Sequence, residues 1–199
     1  LGMELWLPGI ADILTGIRCM KYKIIYADPP WSYNDTQKSG GTAFFGASVR
    51  YNTMNNKDIS NLPIGELADK DCVLFMWATS PLLPEALDAI KAWGFKFKTV
   101  GFVWNKQTKN GINISNMGRW TMGNVEICLI AVKGKPQRVV KNVKQLVTAE
   151  RKRHSEKPDE VRKRIVELMG DLPRIELFAR QKSEGWDVWG NEVESNITI

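Results

Sequence analysis

The sequence predicts an α/β domain built on a mostly parallel β-sheet. Short apolar segments rich in β-branched and aromatic residues alternate with segments whose apolar residues recur at helical spacing. Residues 72–78 are apolar at every position, which is typical of a central strand covered on both faces. The chain has 199 residues, of which 43% are hydrophobic and 25% charged, so it is long enough for one domain with a substantial core.

The first predicted strand covers residues 23–27 and stops at Asp28-Pro29-Pro30, because two prolines cannot continue a hydrogen-bonded ladder. Residues 32–56 are polar and rich in Ser, Asn, Gly and Thr, so we predict a long loop. After the central strand, an apolar face predicts a helix that Gly94 ends, with Leu83, Leu87, Ile90 and Trp93 on that face.

Two further strands are predicted at residues 97–104 and 125–132, separated by an Asn- and Gly-rich loop over residues 105–124. Residues 133–157 are basic, and we predict an irregular segment there.

The C-terminal part begins with Lys157-Pro158-Asp159-Glu160, which is typical of a helix start because proline and acidic residues are favourable in a first turn. This helix has an apolar face at Val161, Ile165 and Leu168 and is predicted to end at Gly170. Strands at residues 174–180 and 186–189 complete the predicted sheet.

We interpret residues 1–20 as an N-terminal extension and residues 21–199 as a single domain. Charged residues and a proline interrupt the extension, so it resembles neither a membrane span nor a signal peptide. Cys72 and Cys128 lie within apolar runs, and the chain has no C-x-x-C pair, so we expect buried, reduced thiols and a cytoplasmic protein. Because the chain has one histidine, we expect no metal site.

Basic residues are concentrated in one part of the chain. The net charge is +6, and residues 133–164 alone contain twelve Lys or Arg against four Asp or Glu. This segment either forms a solvated loop and helix face or binds the phosphates of a nucleic acid. The candidate nucleic-acid contacts are Lys144, Arg151, Lys152 and Arg153.

The tetrapeptide Asp28-Pro29-Pro30-Trp31 directly follows a strand, where ligands of open α/β sheets bind. A rigid Pro-Pro turn would fix two hydrogen-bond acceptors, the Asp28 carboxylate and the Pro29 carbonyl oxygen. The exocyclic amine of adenine is a poor nucleophile, and two acceptors on its N–H bonds would free its lone pair. Stacking of a base on Trp31 would contribute about 1–3 kcal/mol, and a charged acceptor about 1.5–3 kcal/mol. The structural alternative is a strand-ending turn with a buried tryptophan.

Four segments in order resemble the adenine-N6 methyltransferases typified by the catalytic subunit of the eukaryotic mRNA adenosine methyltransferase, with bacterial and phage members. The resemblance spans about residues 22–192. Its first two segments are Tyr26-Ala27-Asp28-Pro29-Pro30-Trp31 and Ser155-Glu156-Lys157-Pro158-Asp159-Glu160. The last two are Ile175-Glu176-Leu177-Phe178-Ala179-Arg180 and the stretch from Trp186 to Gly190-Asn191-Glu192.

The resemblance implies a Rossmann-like fold that uses S-adenosylmethionine, with helices on both faces of the sheet and the catalytic motif preceding the cofactor-binding strand. It implies catalytic roles for Asp28, Pro29, Pro30 and Trp31. It also implies cofactor contacts from Asp28, Lys157, Phe178, Arg180, Asn191 and Glu192. Glu192 stands where the family often has Gln, and no G-x-G-x-x-G pattern suggests a dinucleotide instead.

Three functions are compatible with the sequence. They are methylation of adenine in DNA, the same reaction on RNA, and nucleic-acid binding by an inactive partner subunit. The compact chain, without an appended RNA-binding module, favours DNA, and the intact Asp28, Trp31, Lys157 and Asn191 disfavour the inactive subunit. Family members often pair, so a homodimer or heterodimer is a further expectation.

Overall fold

A seven-stranded sheet organises the protein, with strands in the order β5-β3-β4-β2-β1-β6-β7. The computed structural model describes residues 21–32, 53–118, 120–152 and 156–199. The predicted extension over residues 1–20, most of the loop over residues 32–56, and Arg153 lie outside them. The strands are β1 (Tyr22–Ala27), β2 (Ala68–Ala78), β3 (Lys96–Gln107), β4 (Val125–Lys133), β5 (Leu146–Glu150), β6 (Arg174–Leu177) and β7 (Asp187–Trp189).

The sheet is mostly parallel, as predicted. β1 pairs in parallel with β2 and β6, β6 with β7, and β3 with β5. β4 runs antiparallel to both of its neighbours, β2 and β3. The carboxyl ends of the other six described strands therefore meet at one edge of the sheet, and the amino end of β4 lies at that same edge. We call this edge the carboxyl edge.

Helices cover both faces of the sheet. The described helices are α1 (Asn56–Asn61), α2 (Ile64–Leu67), α3 (Leu83–Ala92) and α4 (Asp159–Met169). Ile25 and Ala27 of β1 belong to the core cluster that contains the buried residues of α1, α2 and α3. Ile24 and Tyr26 belong to the cluster on the opposite face with those of α4. This alternation explains why β1 and β2 are apolar at consecutive positions.

Several predicted boundaries were wrong. β5 lies within the basic segment that was predicted to be irregular, and α1 and α2 were not predicted. β6 ends at Leu177 rather than at residue 180, because Phe178 adopts a left-handed conformation with φ 61° that a strand cannot contain. On α4 the buried positions are Val161, Ile165 and Met169, whereas Leu168 is only partly buried.

Two other predictions of local structure are confirmed, for Gly170 and for the two cysteines. Gly170 follows α4 with φ 86°, a conformation that favours glycine. Cys72 and Cys128 are fully buried free thiols. Within the described part of the chain, no helix has the length and apolarity that crossing a membrane requires.

Candidate active site

The carboxyl edge brings together the residues that follow β1, β6 and β7. From β1 the chain turns to β2 on one side, whereas β6 and β7 lie on the other side. The crevice between the ends of β1 and β6 is therefore a topological switch point, where open α/β sheets bind ligands. Asp28 follows β1 and Phe178 follows β6 at this point.

Backbone hydrogen bonds hold the Asp28-Pro29-Pro30-Trp31 turn in place. The Trp31 N–H donates to the Pro29 carbonyl oxygen at 2.9 Å, and the Met54 N–H donates to the Pro30 carbonyl oxygen at 2.9 Å. A carbonyl oxygen has two lone pairs, so the Pro29 oxygen can accept a second hydrogen bond. The turn therefore fixes both proposed acceptors beside the end of β1.

Trp31 is largely buried, with 6% of its surface exposed. Its indole Nε1–H donates to the Trp77 carbonyl oxygen at 3.1 Å, and its ring belongs to the core cluster on the α3 face. Trp31 is thus buried, as the structural alternative for this turn predicts. Stacking of a target base on Trp31 stays a prediction.

Asp28 belongs to a chain of alternating charges. Lys157 Nζ lies 2.6 Å from Asp28 Oδ2 and 3.4 Å from Glu126 Oε2, and the other oxygen of Glu126 contacts Lys106 Nζ. Lys157 is 8% exposed, and its ammonium lies 5.5 Å from the centroid of the buried Trp77 ring. We call Lys106, Glu126, Lys157 and Asp28 the charge cluster.

Burial and the neighbouring charges set the protonation states of the charge cluster. Burial raises the pKa of Asp28, and Lys157 only partly opposes this effect. Burial alone would lower the pKa of Lys157, but Asp28 and Glu126 outweigh it, so the pKa of the ammonium is raised. Burial alone would raise the pKa of Glu126, but Lys157 and Lys106 lower it. The cluster therefore holds a firmly charged lysine beside a carboxylate whose proton affinity is increased.

The other predicted cofactor residues follow β6 and β7 at the same edge. The Phe178 ring packs edge-on against Trp189, with 5.3 Å between ring centroids, and the strained backbone of this residue is a feature found at functional sites. Arg180 Nε lies 3.7 Å from Glu192 Oε1, and both side chains are partly or largely exposed. Asn191 is exposed beside Glu192. These side chains border the crevice on the side away from β2.

Gly190 allows the segments after β6 and β7 to approach each other closely. A Cβ atom at this position would lie 2.1 Å from the Ala179 carbonyl oxygen. The Ala179 N–H donates to the Trp189 carbonyl oxygen at 2.9 Å across the same contact. The Cβ atom would also lie 2.8 Å from the Ala179 nitrogen. Because both atoms belong to the backbone, a larger residue would displace Phe178 or Asn191.

Comparison with known proteins decides the family. The sequence profile of the MT-A70 family matches residues 22–192. The chain belongs to the MT-A70 family. The predicted Rossmann-like fold and the predicted adenine-N6 methyltransferase class are thereby confirmed at the level of the family.

Individual relatives extend this assignment. The chain is 39% identical over 191 residues to the Type II methyltransferase M.MunI of Mycoplasma sp, covering 88% of this chain and 79% of the relative. It is 28% identical over 179 residues to the N(6)-adenosine-methyltransferase catalytic subunit METTL3 of Homo sapiens, covering 87% of this chain and 28% of the relative. A Drosophila melanogaster N(6)-adenosine-methyltransferase MT-A70-like protein is 27% identical, and 27% of its length is covered. The chain thus spans about a quarter of these two animal relatives.

The predicted basic surface is divided between the carboxyl edge and the opposite edge, where the amino ends of most strands lie. Arg151 and Lys152 follow β5 at the carboxyl edge, where the Arg151 N–H donates to the Gln107 carbonyl oxygen at 2.8 Å. Lys144 precedes β5 and therefore lies at the opposite edge, roughly 15 Å away for a five-residue strand. Lys157 and Arg162 of the same segment are engaged in internal ion pairs. The basic segment is thus not one continuous surface beside the site.

Two members of the charge cluster, Lys106 and Glu126, were missed in the sequence. Lys106 lies near the end of β3 and Glu126 near the start of β4, so the antiparallel pairing of these strands brings both to the carboxyl edge. The one signal in the sequence is a glutamate inside a run that is otherwise apolar from Val125 to Val132.

Proposed function

We propose that this MT-A70 protein transfers a methyl group from S-adenosylmethionine to the 6-amino group of adenine in DNA. The observation that carries the proposal is the partly buried Asp28 carboxylate, held 2.6 Å from Lys157 at the crevice between β1 and β6. A carboxylate and the Pro29 carbonyl oxygen are two acceptors for the two N–H bonds of an exocyclic amine. Gripping both bonds favours a pyramidal nitrogen, whose lone pair can attack a methyl group.

The residues at the crevice fit S-adenosylmethionine, which when bound supplies an electrophilic methyl group on a positively charged sulfur. The Lys157 ammonium would bind the cofactor's carboxylate, and Asp28 would accept from its amino group. Glu192 would accept hydrogen bonds from both ribose hydroxyls, and Asn191 offers a donor and an acceptor to the adenine ring. Phe178 would form an apolar wall beside them.

The choice of DNA rests on similarity. The relative with 39% identity, of which the chain covers most, is a Type II methyltransferase, whereas the N(6)-adenosine-methyltransferases are matched over about a quarter of their length. RNA is the second candidate, because those relatives are named for adenosine. An inactive binding subunit is disfavoured by the intact charge pair of Asp28 and Lys157.

For the nucleic acid we propose contacts at the carboxyl edge from Arg151 and Lys152, together with Arg153 from the sequence. Arg151 is exposed, and Lys152 is half exposed in ion pairs with Glu156 and Asp159. Phosphate oxygens can replace these surface carboxylates as partners, because exposed ion pairs contribute little stability. The position of Lys144 gives no support for a contact beside the same site.

The test is transfer of a labelled methyl group from S-adenosylmethionine to DNA and RNA pools of matched sequence, followed by nucleoside analysis. We expect N6-methyladenine in the DNA pool at a rate well above that in the RNA pool. Preferential labelling of RNA would select the second candidate, and label on cytosine or on neither polymer would refute the proposal.

A further inference from the structure

Glu126 is a partly buried carboxylate to which the proposed chemistry assigns no role so far. Its side chain is 19% exposed, and both of its oxygens face ammonium groups, those of Lys106 and Lys157. Burying a carboxylate is costly unless it is paired. A glutamate kept at the carboxyl edge, within reach of the lysine that binds Asp28, therefore needs an explanation.

The explanation lies in how the Lys157 ammonium divides its hydrogen bonds. It is 2.6 Å from Asp28 Oδ2 and 3.4 Å from Glu126 Oε2, so two carboxylates compete for one buried cation. An ammonium has three donors and can serve both. When Asp28 turns toward a target amine, Lys157 loses part of its contact with Asp28, and Glu126 stays beside it together with the cofactor carboxylate proposed to bind there.

We propose that Glu126 is a positioning residue, which holds Lys157 as a second carboxylate partner and so frees Asp28 to accept a hydrogen bond from the substrate amine. This inference rests on the proposed function. Glu126 acts through Lys157 and touches neither the substrate nor the methyl group in this role. Lys106 balances the second carboxylate, so that the charge cluster contains two cations and two anions.

The surroundings of Asp28 make the role measurable in a pH profile. Burial is the main cause of the raised pKa of Asp28, Lys157 opposes it, and the negative charge of Glu126 raises the pKa further. Among the described residues, Arg180 after β6 and the buried Cys128 on β4 also interact electrostatically with Asp28. Removing the charge of Glu126 therefore lowers the pKa of Asp28, whereas a merely structural defect would leave it in place.

The experiment compares Glu126→Gln and Glu126→Asp with the wild type, and with Glu167→Gln as the matched control on the exposed face of α4. Single-turnover methyl transfer to an adenine-containing DNA duplex is measured from pH 5 to 9, and binding of S-adenosylmethionine is measured by calorimetry. We expect Glu126→Gln to lower the rate by about tenfold or more, to weaken cofactor binding by a smaller factor because Lys157 keeps Asp28 as a partner, and to move the acid limb to lower pH. Glu126→Asp should recover part of the rate.

Two results would overturn the inference while leaving the proposed function intact. One is a wild-type rate in Glu126→Gln. The other is a lower rate with an unmoved acid limb and a thermal midpoint below that of Glu167→Gln, which would make Glu126 structural. A wild type that methylates no adenine would instead refute the proposed function, and the inference with it.

Discussion

Replacing Lys157 by Met removes the buried cation that two partly buried carboxylates share. Methionine has a similar unbranched length and fills a similar volume, but it loses the contact of the ammonium with the Trp77 ring. Breaking a buried ion pair by removing one partner costs about 3–5 kcal/mol, because the other charge stays buried without compensation. Here Asp28 loses a contact of 2.6 Å, whereas Glu126 keeps Lys106. We therefore expect a loss of unfolding free energy of about 3–5 kcal/mol at pH 8.5.

This loss depends on pH with a defined sign. Burial already raises the pKa of Asp28 in the wild type, and without Lys157 the pKa rises further. A carboxyl whose folded pKa exceeds its unfolded pKa contributes stability that is present at low pH and lost as pH rises through the folded pKa. The penalty of Lys157→Met should thus shrink below the new pKa of Asp28, by at most about 1.4 kcal/mol per pH unit.

Urea unfolding followed by the fluorescence of the buried tryptophans, at pH 5.5, 7.0 and 8.5, measures the penalty. Lys152→Met is the matched control, since its ammonium is half exposed in surface pairs that typically contribute about 0.2–1 kcal/mol. A penalty for Lys157→Met that equals the control at every pH tested would refute the charge assignment.

Further predictions address the nucleic-acid surface and the cofactor side. The double change Arg151→Ala and Lys152→Ala should weaken DNA binding and reduce the slope of log K against log salt by about 1–2. Lys144→Ala, at the opposite edge, should leave the slope unchanged. Equal slopes for the two variants in a salt titration would contradict the proposed DNA contacts at the carboxyl edge. Gly190→Ala should cost about 1–3 kcal/mol of stability and weaken cofactor binding, because its Cβ meets the Ala179 carbonyl oxygen. Gly123→Ala, where a Cβ meets nothing within 4 Å, is its control, and identical urea midpoints would contradict the predicted clash.

Sequence reasoning located six of the seven described strands. In β1, β2 and β4 the signal is an apolar run within the strand, because the packed clusters on both faces of the sheet exclude water there. β5 was missed because it is an outermost strand of the sheet. Only Val147 of this strand is fully buried, and its other residues are exposed or half-buried. Apolar periodicity gives little signal for a five-residue edge strand.

The Asp28-Pro29-Pro30-Trp31 turn and Lys157 could be identified from local motifs, but the charge cluster could not. Its members, Asp28, Lys106, Glu126 and Lys157, come from four separate parts of the chain, and strand pairing brings them together. The sequence also did not indicate that the basic residues lie at two opposite edges of the sheet, because this too depends on strand formation. Once residues 146–150 form a strand, Lys144 and Arg151 lie at opposite edges although they are neighbours in the sequence.

The central claim is that Asp28 activates the 6-amino group of adenine. Asp28→Asn tests it most directly, because the amide has the same shape and Lys157 keeps Glu126 as a charged partner at 3.4 Å, so we expect the variant to fold. Formation of N6-methyladenine in DNA is measured under single-turnover conditions at saturating S-adenosylmethionine, with the thermal midpoint as the check on folding. We expect a rate at least about tenfold below that of the wild type, because the variant lacks the charged acceptor. A folded Asp28→Asn protein that methylates adenine at the wild-type rate would contradict it.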